Sequence, residues 1–466
     1  MPAFRRPALA FLLSSCASLV AAQTTDAGLR SDEFPACERS VVKIVWSCLA
    51  VIFACTWVSV HPNVPGDRET AFDVVWRKLS IMVDALLAPE LVLFWAMRQW
   101  IGSRELAARY KDQGWTKTHG FFLLMGGFVL EEPGEGRTLS LLHPQRFHQL
   151  LVDGQIDFPE LLAADLEDHS KADWLAKLVV ILQVTWFIIQ CIARGAGSDP
   201  DLTELEVVTL AFATLNAAMY FFWWNKPLDV KRSIPIKHKV GIRCPNESCK
   251  LKAKDQVDIA REAAVSFEPI LPVEHAMDVL RVWTVVDKIN KIPLISLFSK
   301  PITSLVWCQD HMLSQEATRV PTFYAPTLRD PMGGALSMVV ISVAGVCFGA
   351  VHFIGWNIEA PTKIEQYTWR VSTVAITTTF FVNIFNTSIL VYKLHRQRTR
   401  PSFGRSGWVA TLIKVAELTL GCIEILTVPF YIMGRVCLFG LAFATLRRLP
   451  AGAQKEIAWT SYLPHI

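Results

Sequence analysis

The sequence predicts an all-α fold, a polytopic transmembrane helical bundle of about seven spans with two long loops that hold short interfacial or capping helices. Its composition is apolar: 52% of the 466 residues are hydrophobic and only 19% are charged. The hydrophobic fraction is higher, and the charged fraction lower, than in ordinary soluble proteins. Apolar segments recur at about 20 residues, the length that crosses a bilayer. Tryptophans lie at the ends of these segments, as in interfacial belts, at positions 46, 57, 95, 100, 223, 224, 356 and 369.

The N-terminus has the pattern of a signal peptide, predicted over residues 1–22. Basic Arg5 and Arg6 precede an apolar core, and Val20-Ala21-Ala22 forms a small-residue ending before Gln23. An uncleaved anchor is the alternative, but the core is short for a span. A polar segment, 23–40, and a single membrane domain, 41–466, follow. We therefore expect an integral membrane protein of the secretory pathway, in the plasma membrane or an endomembrane.

Seven spans follow from length and flanking residues. The last apolar region, from Trp408 to Leu446, is too long for one crossing and contains Pro429. We interpret it as an interfacial helix and a kinked span, with an eighth crossing as the alternative. The predicted spans are 41–60, 79–97, 175–193, 207–224, 334–355, 371–390 and 423–444.

Two long loops, 99–174 and 225–331, separate the spans. In the first, the apolar part from Gly120 to Leu130 is about half the length of a crossing. It is interpreted as a re-entrant or interfacial segment in which Gly126-Gly127 permits a turn. The second loop begins with a basic run and continues with apolar and basic residues, which fits surface helices or a small soluble cap.

The topology signals conflict. A cleaved signal followed by seven spans places the C-terminus in the cytosol and both long loops outside. The loop 393–408, with five basic residues and no acid, would then also lie outside, against the positive-inside rule. One of three premises must therefore be wrong: the N-terminal signal peptide, the number of crossings, or the positive-inside rule for this chain. The half-length segment from Gly120 to Leu130 is the segment at which the number of crossings is most open to error.

Cysteines in the second long loop are candidate metal ligands. Cys244 and Cys249 flank a turn, and Cys308 and His311 are of the right type, but the spacing is uncommon for zinc. We predict no metal and no cofactor. If the loop faces an oxidising lumen, a Cys244–Cys249 disulfide and glycosylation of Asn246 are expected.

Acidic residues within apolar segments are the candidates for function. Asp84 and Glu90 flank Pro89, and an Asp in mid-bilayer costs about 2.5–3.5 kcal/mol, which favours a polar interior site. Their helical spacing does not bring them together, so only the Pro89 kink or a partner such as His119 could do so. The alternative is structural pairing with Arg98, Lys414 or Arg435. The candidate polar intramembrane site is Asp84, Glu90, His119 and Glu424.

Several phrases resemble a large family of uncharacterised multi-pass membrane proteins from filamentous fungi. The resemblance covers most of the mature chain, and it implies a fungal source and a similar fold, without an activity or functional residues. The phrases are WSCLAVIFACTWVSVHPNVPG (46–66), LAPELVLFWAMRQW (87–100), GWTKTHGFFLLMGGF (114–128), TELEVVTLAF (203–212), WWNKPLDV (223–230) and TLRRLPAGAQKEIAWTSYLPHI (445–466).

Three function classes are compatible with the sequence. A transporter, channel or receptor-like protein would use the polar intramembrane site. A membrane enzyme would act on a lipid or terpenoid through a carboxyl general acid. A structural or scaffold role is the third. The chain lacks P-loop, GxGxxG, HExxH and GxSxG motifs, and its net charge of +4 does not favour nucleic acid. Expected partners are membrane lipids and an unknown small-molecule or lipid ligand.

Overall fold

The computed structural model describes most of the membrane domain. The described residues are 39–132, 138–159, 171–196, 202–228, 230–239, 319–326, 331–399, 407–449 and 451–455. The predicted signal peptide, most of the second long loop, and with it Cys244, Cys249 and Asn246, lie outside them. The elements are α1 Val41–Phe53, α2 Ala71–Leu87, α3 Pro89–Arg109, α4 Lys117–Leu124, β1 Phe128–Glu132, β2 Thr138–Leu141, α5 Pro144–Val152, α6 Lys171–Ala196, α7 Glu204–Trp223, β3 Ile234–Lys237, α8 Pro331–His352, α9 Lys363–Thr399 and α10 Gly407–Ala444.

Within the described residues, six helical segments are each long and apolar enough to cross a membrane, which indicates a polytopic membrane protein. Many of their large apolar side chains are exposed, as expected for surfaces that face lipid. The sixth lies in α10, which runs unbroken through Pro429 instead of forming two separate helices. The segments are Val41–Val58, Lys177–Gly195, Glu204–Trp223, Met332–Asn357, Lys363–Arg396 and Leu426–Arg447.

The remaining predicted span, 79–97, is two helices in the structure. Helices α2 and α3 meet at an angle of 113°. Ala88, between them, has an extended φ of −146°, because a residue before proline avoids the helical region. Pro89 then starts α3 at its first position, where a missing N–H costs nothing.

One end of the bundle, here called the terminal end, holds both termini of the described chain. The amide of Arg39, just before α1, donates to the carbonyl of Gln454 over 2.7 Å. Arg39 also forms a 2.6 Å ion pair with Glu206, near the start of α7. Arg447 pairs with Glu365 over 2.7 Å, which joins the last turn after α10 to the start of α9.

The opposite end, here called the loop end, holds the described parts of both long loops. Lys226, just after α7, donates to the carbonyl of His61, which follows α1. Lys177 of α6 donates to the Trp224 carbonyl over 2.9 Å. The helices therefore alternate in direction between the two ends.

Helices α2 and α3 both have their outer ends at the loop end, so they form a re-entrant pair. Lys78 of α2 lies 5.0 Å from the ring of Trp57, near the end of α1. Gln99 of α3 contacts Lys226 over 2.8 Å. From Gln99 inward to Glu90, a rise of 1.5 Å per residue gives a distance of about 14 Å along α3. The tip of the pair therefore lies inside the bundle, between its two ends.

A small mixed sheet at the loop end corrects the all-α prediction. Strand β1 pairs with β2 antiparallel and with β3 parallel. The apolar part from Gly120 to Leu130 supplies the end of α4, a turn at Gly126 with φ of 83°, and most of β1. Its apolar residues are buried in a second core with α5, so it is not an interfacial segment. Its half-length reflects a helix, a turn and a strand, which length alone could not distinguish from a short membrane segment.

Candidate functional site

The tip of the re-entrant pair holds a carboxyl and a phenol in the middle of the bundle. Glu90 occupies the first turn of α3 and is 1% exposed. The Tyr431 hydroxyl of α10 is hydrogen-bonded to Oε1 of Glu90 and to the carbonyl of Leu87. An acidic side chain at a helix N-terminus is favoured by the helix dipole.

Arg435, one turn after Tyr431, satisfies the open end of α2. Its Nε donates to the Leu87 carbonyl over 2.9 Å and its Nη2 to the Leu86 carbonyl over 3.1 Å. These carbonyls lack helical partners because α2 stops at Pro89. The guanidinium also lies 4.1 Å from the ring centroid of Phe348, a cation–π contact. Arg435 is within electrostatic range of Glu90, so the tip combines a carboxyl group with a guanidinium.

Polar atoms without a partner in the described part of the chain occur in this cluster and on α7 and α8, two helices that pack against α3. Oε2 of Glu90, Nε2 of His352 and Oδ1 of Asn216 are buried without a hydrogen-bond partner among the described residues. Nδ1 of His352 contacts the Phe348 carbonyl over 2.9 Å, so that nitrogen carries the proton and Nε2 is an acceptor. Buried acceptors are normally satisfied, so each of these atoms is open to a hydrogen bond from a bound molecule.

The structure does not bring the four predicted site residues together. Asp84 lies on α2 before the tip and is half-buried, and no contact joins it to Glu90 within the described residues. His119 is at the loop end, where its Nδ1 accepts from the Thr116 amide over 3.1 Å and helps to cap α4. Glu424 lies on α10, and its side chain is outside the described set. Among the three predicted site residues whose side chains are described, Glu90 alone belongs to the observed cluster.

A second polar cluster at the loop end was not predicted. Lys226 is 1% exposed. Its Nζ donates to the His61 carbonyl at 2.5 Å, to Oε1 of Gln99 at 2.8 Å and to Oδ1 of Asn63 at 3.3 Å. The same nitrogen lies 4.6 Å from the ring centroid of Trp95 and 4.8 Å from that of Trp223. This group is here called the lysine cage.

Burial lowers the pKa of the Lys226 amine well below its ordinary value. The three oxygen acceptors and two indole faces act in the opposite direction, because an ammonium group has three donors and is attracted to ring faces. Gln99 and Asn63 also bind the carbonyls of Tyr324 and Pro321, so the cage attaches the second long loop to the bundle. We interpret the lysine cage as a structural centre.

The sequence contained partial signals for these clusters. The sequence predicts Arg435 as one possible partner for the acidic residues within apolar segments. An arginine within an apolar segment is itself a general indication of a buried contact. Tyr431 gave no signal, because one tyrosine in an apolar helix is ordinary. Lys226 follows Trp223 and Trp224, which suggested an interface instead of a buried cage.

The described residues contain no group of three His, Cys, Asp or Glu side chains placed to bind a metal ion. A family model described as a family of unknown function, DUF8562, matches residues 8–243 and 335–466, which include Glu90, Tyr431 and Arg435. No curated protein and no solved structure matches the chain. Because the family model covers most of its length, this protein is a member of the DUF8562 family of unknown function.

Proposed function

We propose that the protein is a membrane transporter for small polar solutes, with its binding site at the tip of the re-entrant pair. The observation that carries this proposal is the placement of Glu90 and Arg435 at a helix break near the middle of the bundle. Broken helices at mid-membrane depth place helix ends and polar side chains where a solute can be bound from either side. Buried charges there are costly and usually serve a pathway.

The unpaired atoms indicate the chemistry of the solute. Oε2 of Glu90, Nε2 of His352 and Oδ1 of Asn216 have no partner among the described residues, and two of the five N–H donors of Arg435 bind the Leu86 and Leu87 carbonyls. A molecule with N–H or O–H donors complements this set. A neutral solute fits better than a cation, because Arg435 would repel a positive charge. Glu90 would exchange a proton during the cycle, which couples solute movement to protons.

The re-entrant pair also supports a particular orientation of the protein in the membrane, because it leaves six crossings. With six crossings, a cleaved signal peptide places the terminal end in the lumen or outside the cell. The basic loop 393–408 then faces the cytosol, so the signal prediction and the positive-inside rule agree. On this proposal the segment with Cys244, Cys249 and Asn246 is cytosolic, with reduced thiols and no glycan. Residence in the secretory pathway, and the fungal source implied by the resemblance, are parts of the same proposal.

Proteoliposomes containing a trapped pH-sensitive dye test the proposal. We expect at least one member of a panel of amino acids, sugars and nucleobases to cause a pH change that requires the protein. Glu90→Gln keeps an acceptor for Tyr431 but cannot exchange a proton, and it should lower the rate about tenfold or more. Glu105→Gln, at an exposed carboxyl on the same helix, is the matched control. Equal rates in wild type and Glu90→Gln, or no solute-dependent flux, would contradict the proposal.

A lipid-modifying enzyme is the second candidate, because aromatic rings surround the Glu90–Tyr431 pair. Phe380 lies 5.7 Å from Tyr431, and Phe348 is also close to the tip. A carboxylic acid among such rings could protonate an apolar substrate and stabilise the cation formed. Product formed from a lipid or terpenoid in detergent, lost in Glu90→Gln without any solute flux, would favour this candidate. A scaffold role predicts neither activity.

A further inference from the structure

An open groove lies on the outer surface of the bundle, lined by side chains that do not belong to the Glu90 cluster. It has a volume of about 430 Å³ and lies between α9 and α10 beside the end of α8. Val371 and Phe430 line it and are 68% and 67% exposed. Its lining is almost entirely apolar, and it consists mainly of Trp356, Arg370, Val371, Val374, Thr378 and Phe430.

Arg370 provides the polar feature of this groove. Its Nε donates to the Trp356 carbonyl over 3.0 Å, and the guanidinium lies 5.2 Å from the Trp356 ring. These contacts fix the orientation of the guanidinium and leave its two terminal nitrogens without a carboxylate partner in the described part of the chain. Lys363 lies two helical turns earlier on the same face of α9 and is exposed. A cationic rim therefore borders an apolar groove.

Arg370 lies near the start of α9, beside residue types that favour the boundary between headgroups and acyl chains. Helix α9 starts at Lys363, and a rise of 1.5 Å per residue places Arg370 about 10 Å along the helix. Trp356 and Trp369, near the same level, are residues typical of this boundary. The groove continues from Arg370 toward Thr378, in the direction of the bilayer centre.

We propose that this groove binds one phospholipid, with its phosphodiester on Arg370 and one acyl chain between α9 and α10. A guanidinium can bind two phosphate oxygens at once, which a lysine cannot do with the same geometry. The exposed apolar lining fits an acyl chain, and the surface faces lipid. Zwitterionic and anionic phospholipids both carry the phosphodiester, so either fits the site.

Photolabelling tests this proposal without any knowledge of the transported solute. The purified full-length protein is incubated with phosphatidylcholine that carries a diazirine on one acyl chain, and labelled peptides are mapped after irradiation. We expect labelling between Val371 and Thr378 and near Phe430. Unlabelled phosphatidylcholine should compete, whereas diacylglycerol, which has the chains but no phosphate, should not.

Two variants and a control make the result decisive. Arg370→Gln should raise the phosphatidylcholine concentration needed for half-competition about tenfold, because a charge-assisted contact is lost. Ala375 also lines the groove, and Ala375→Trp should abolish the labelling by filling it. Arg396→Gln, at the other end of α9, should behave like the wild type. Equal competition by diacylglycerol, or unchanged competition in Arg370→Gln, would show ordinary bilayer contact only and would overturn the proposal.

Discussion

The main-chain amide of Arg39 donates to the carbonyl of Gln454 over 2.7 Å, which joins the segment before the first span to the segment after the last. Arg194, at the end of α6, also binds the neighbouring Lys455 carbonyl over 3.1 Å. Two segments in such contact lie on the same side of a membrane. The chain between them must therefore cross an even number of times, which agrees with six spans and a re-entrant pair.

The first prediction concerns this topology. A glycosylation acceptor tag fused after Ile466 should be modified when the protein is made with microsomes, because the terminal end is proposed to be lumenal. The same tag inserted in the loop 393–408 should stay unmodified. The natural sequon at Asn246 should also remain without glycan, as measured by the absence of an endoglycosidase shift. A modified loop tag with an unmodified C-terminus would contradict the proposed orientation.

The second prediction concerns the charge of the lysine cage. Gln99→Leu removes an acceptor from Lys226 and leaves the Trp223 N–H, which donates to Gln99 over 3.2 Å, without its partner. If Lys226 is protonated, an under-solvated cation remains, and we expect a loss of about 3–5 kcal/mol in stability. Thermal unfolding in detergent measures the change.

The double variant distinguishes a charged from a neutral lysine. Lys226→Met removes the cation, so the pair Lys226→Met and Gln99→Leu should unfold at a higher temperature than Gln99→Leu alone. The energetic effects of the two changes would then be strongly non-additive. Simple addition of the two single effects would mean that Lys226 is neutral in the cage.

The third prediction concerns the close contact of α4 with α3. A Cβ atom added at Gly120 would lie 2.5 Å from the Ser103 carbonyl oxygen, and main chain cannot move aside as a side chain can. Gly120→Ala should therefore force the helices apart and lower stability by about 1–3 kcal/mol. Gly195→Ala is the matched control, because a Cβ there meets open space. It should leave the thermal midpoint unchanged or slightly raised, and an equal loss in both variants would refute the packing argument.

The fourth prediction concerns acid sensitivity at the loop end. Burial, followed by the charges of Lys177 and Lys226, lowers the pKa of His61 well below its ordinary value. The unfolded chain takes up a proton below about pH 6.5 that the folded chain does not. Neutral His61 therefore makes its full contribution to the free energy of unfolding above that pH. This contribution falls as the pH drops, by about 1.4 kcal/mol at pH 5.5.

His61→Gln isolates this contribution from the other histidines. Its side-chain amide can still donate to the Ser59 carbonyl, which Nδ1 of His61 contacts over 2.7 Å. The thermal midpoint of the wild type should fall more between pH 7.5 and pH 5.5 than that of the variant. Parallel falls in the two proteins would exclude His61 as the source.

Part of the fold and part of the site follow from local sequence. Apolar length located all six long helices, and Pro89 marked the break because proline constrains the residue before it. Glu90 stands out in the sequence because a carboxyl in an apolar segment is costly. The structure places His119 in a local helix cap with Thr116, a contact that looks like an isolated polar residue in the sequence. The sheet was missed because β1 pairs with β3 across about a hundred residues of chain.

The sequence by itself determined the membrane class, the long helices, the break at Pro89 and the presence of an acid beside it, because these depend on side-chain polarity and backbone constraints within a few residues. Tertiary structure alone decided that α2 and α3 return to one end, that Tyr431 and Arg435 meet Glu90, and that Lys226 lies between Trp95 and Trp223. Those contacts join residues far apart in the chain. They depend on how the helices pack, and one sequence does not encode that packing in any short pattern.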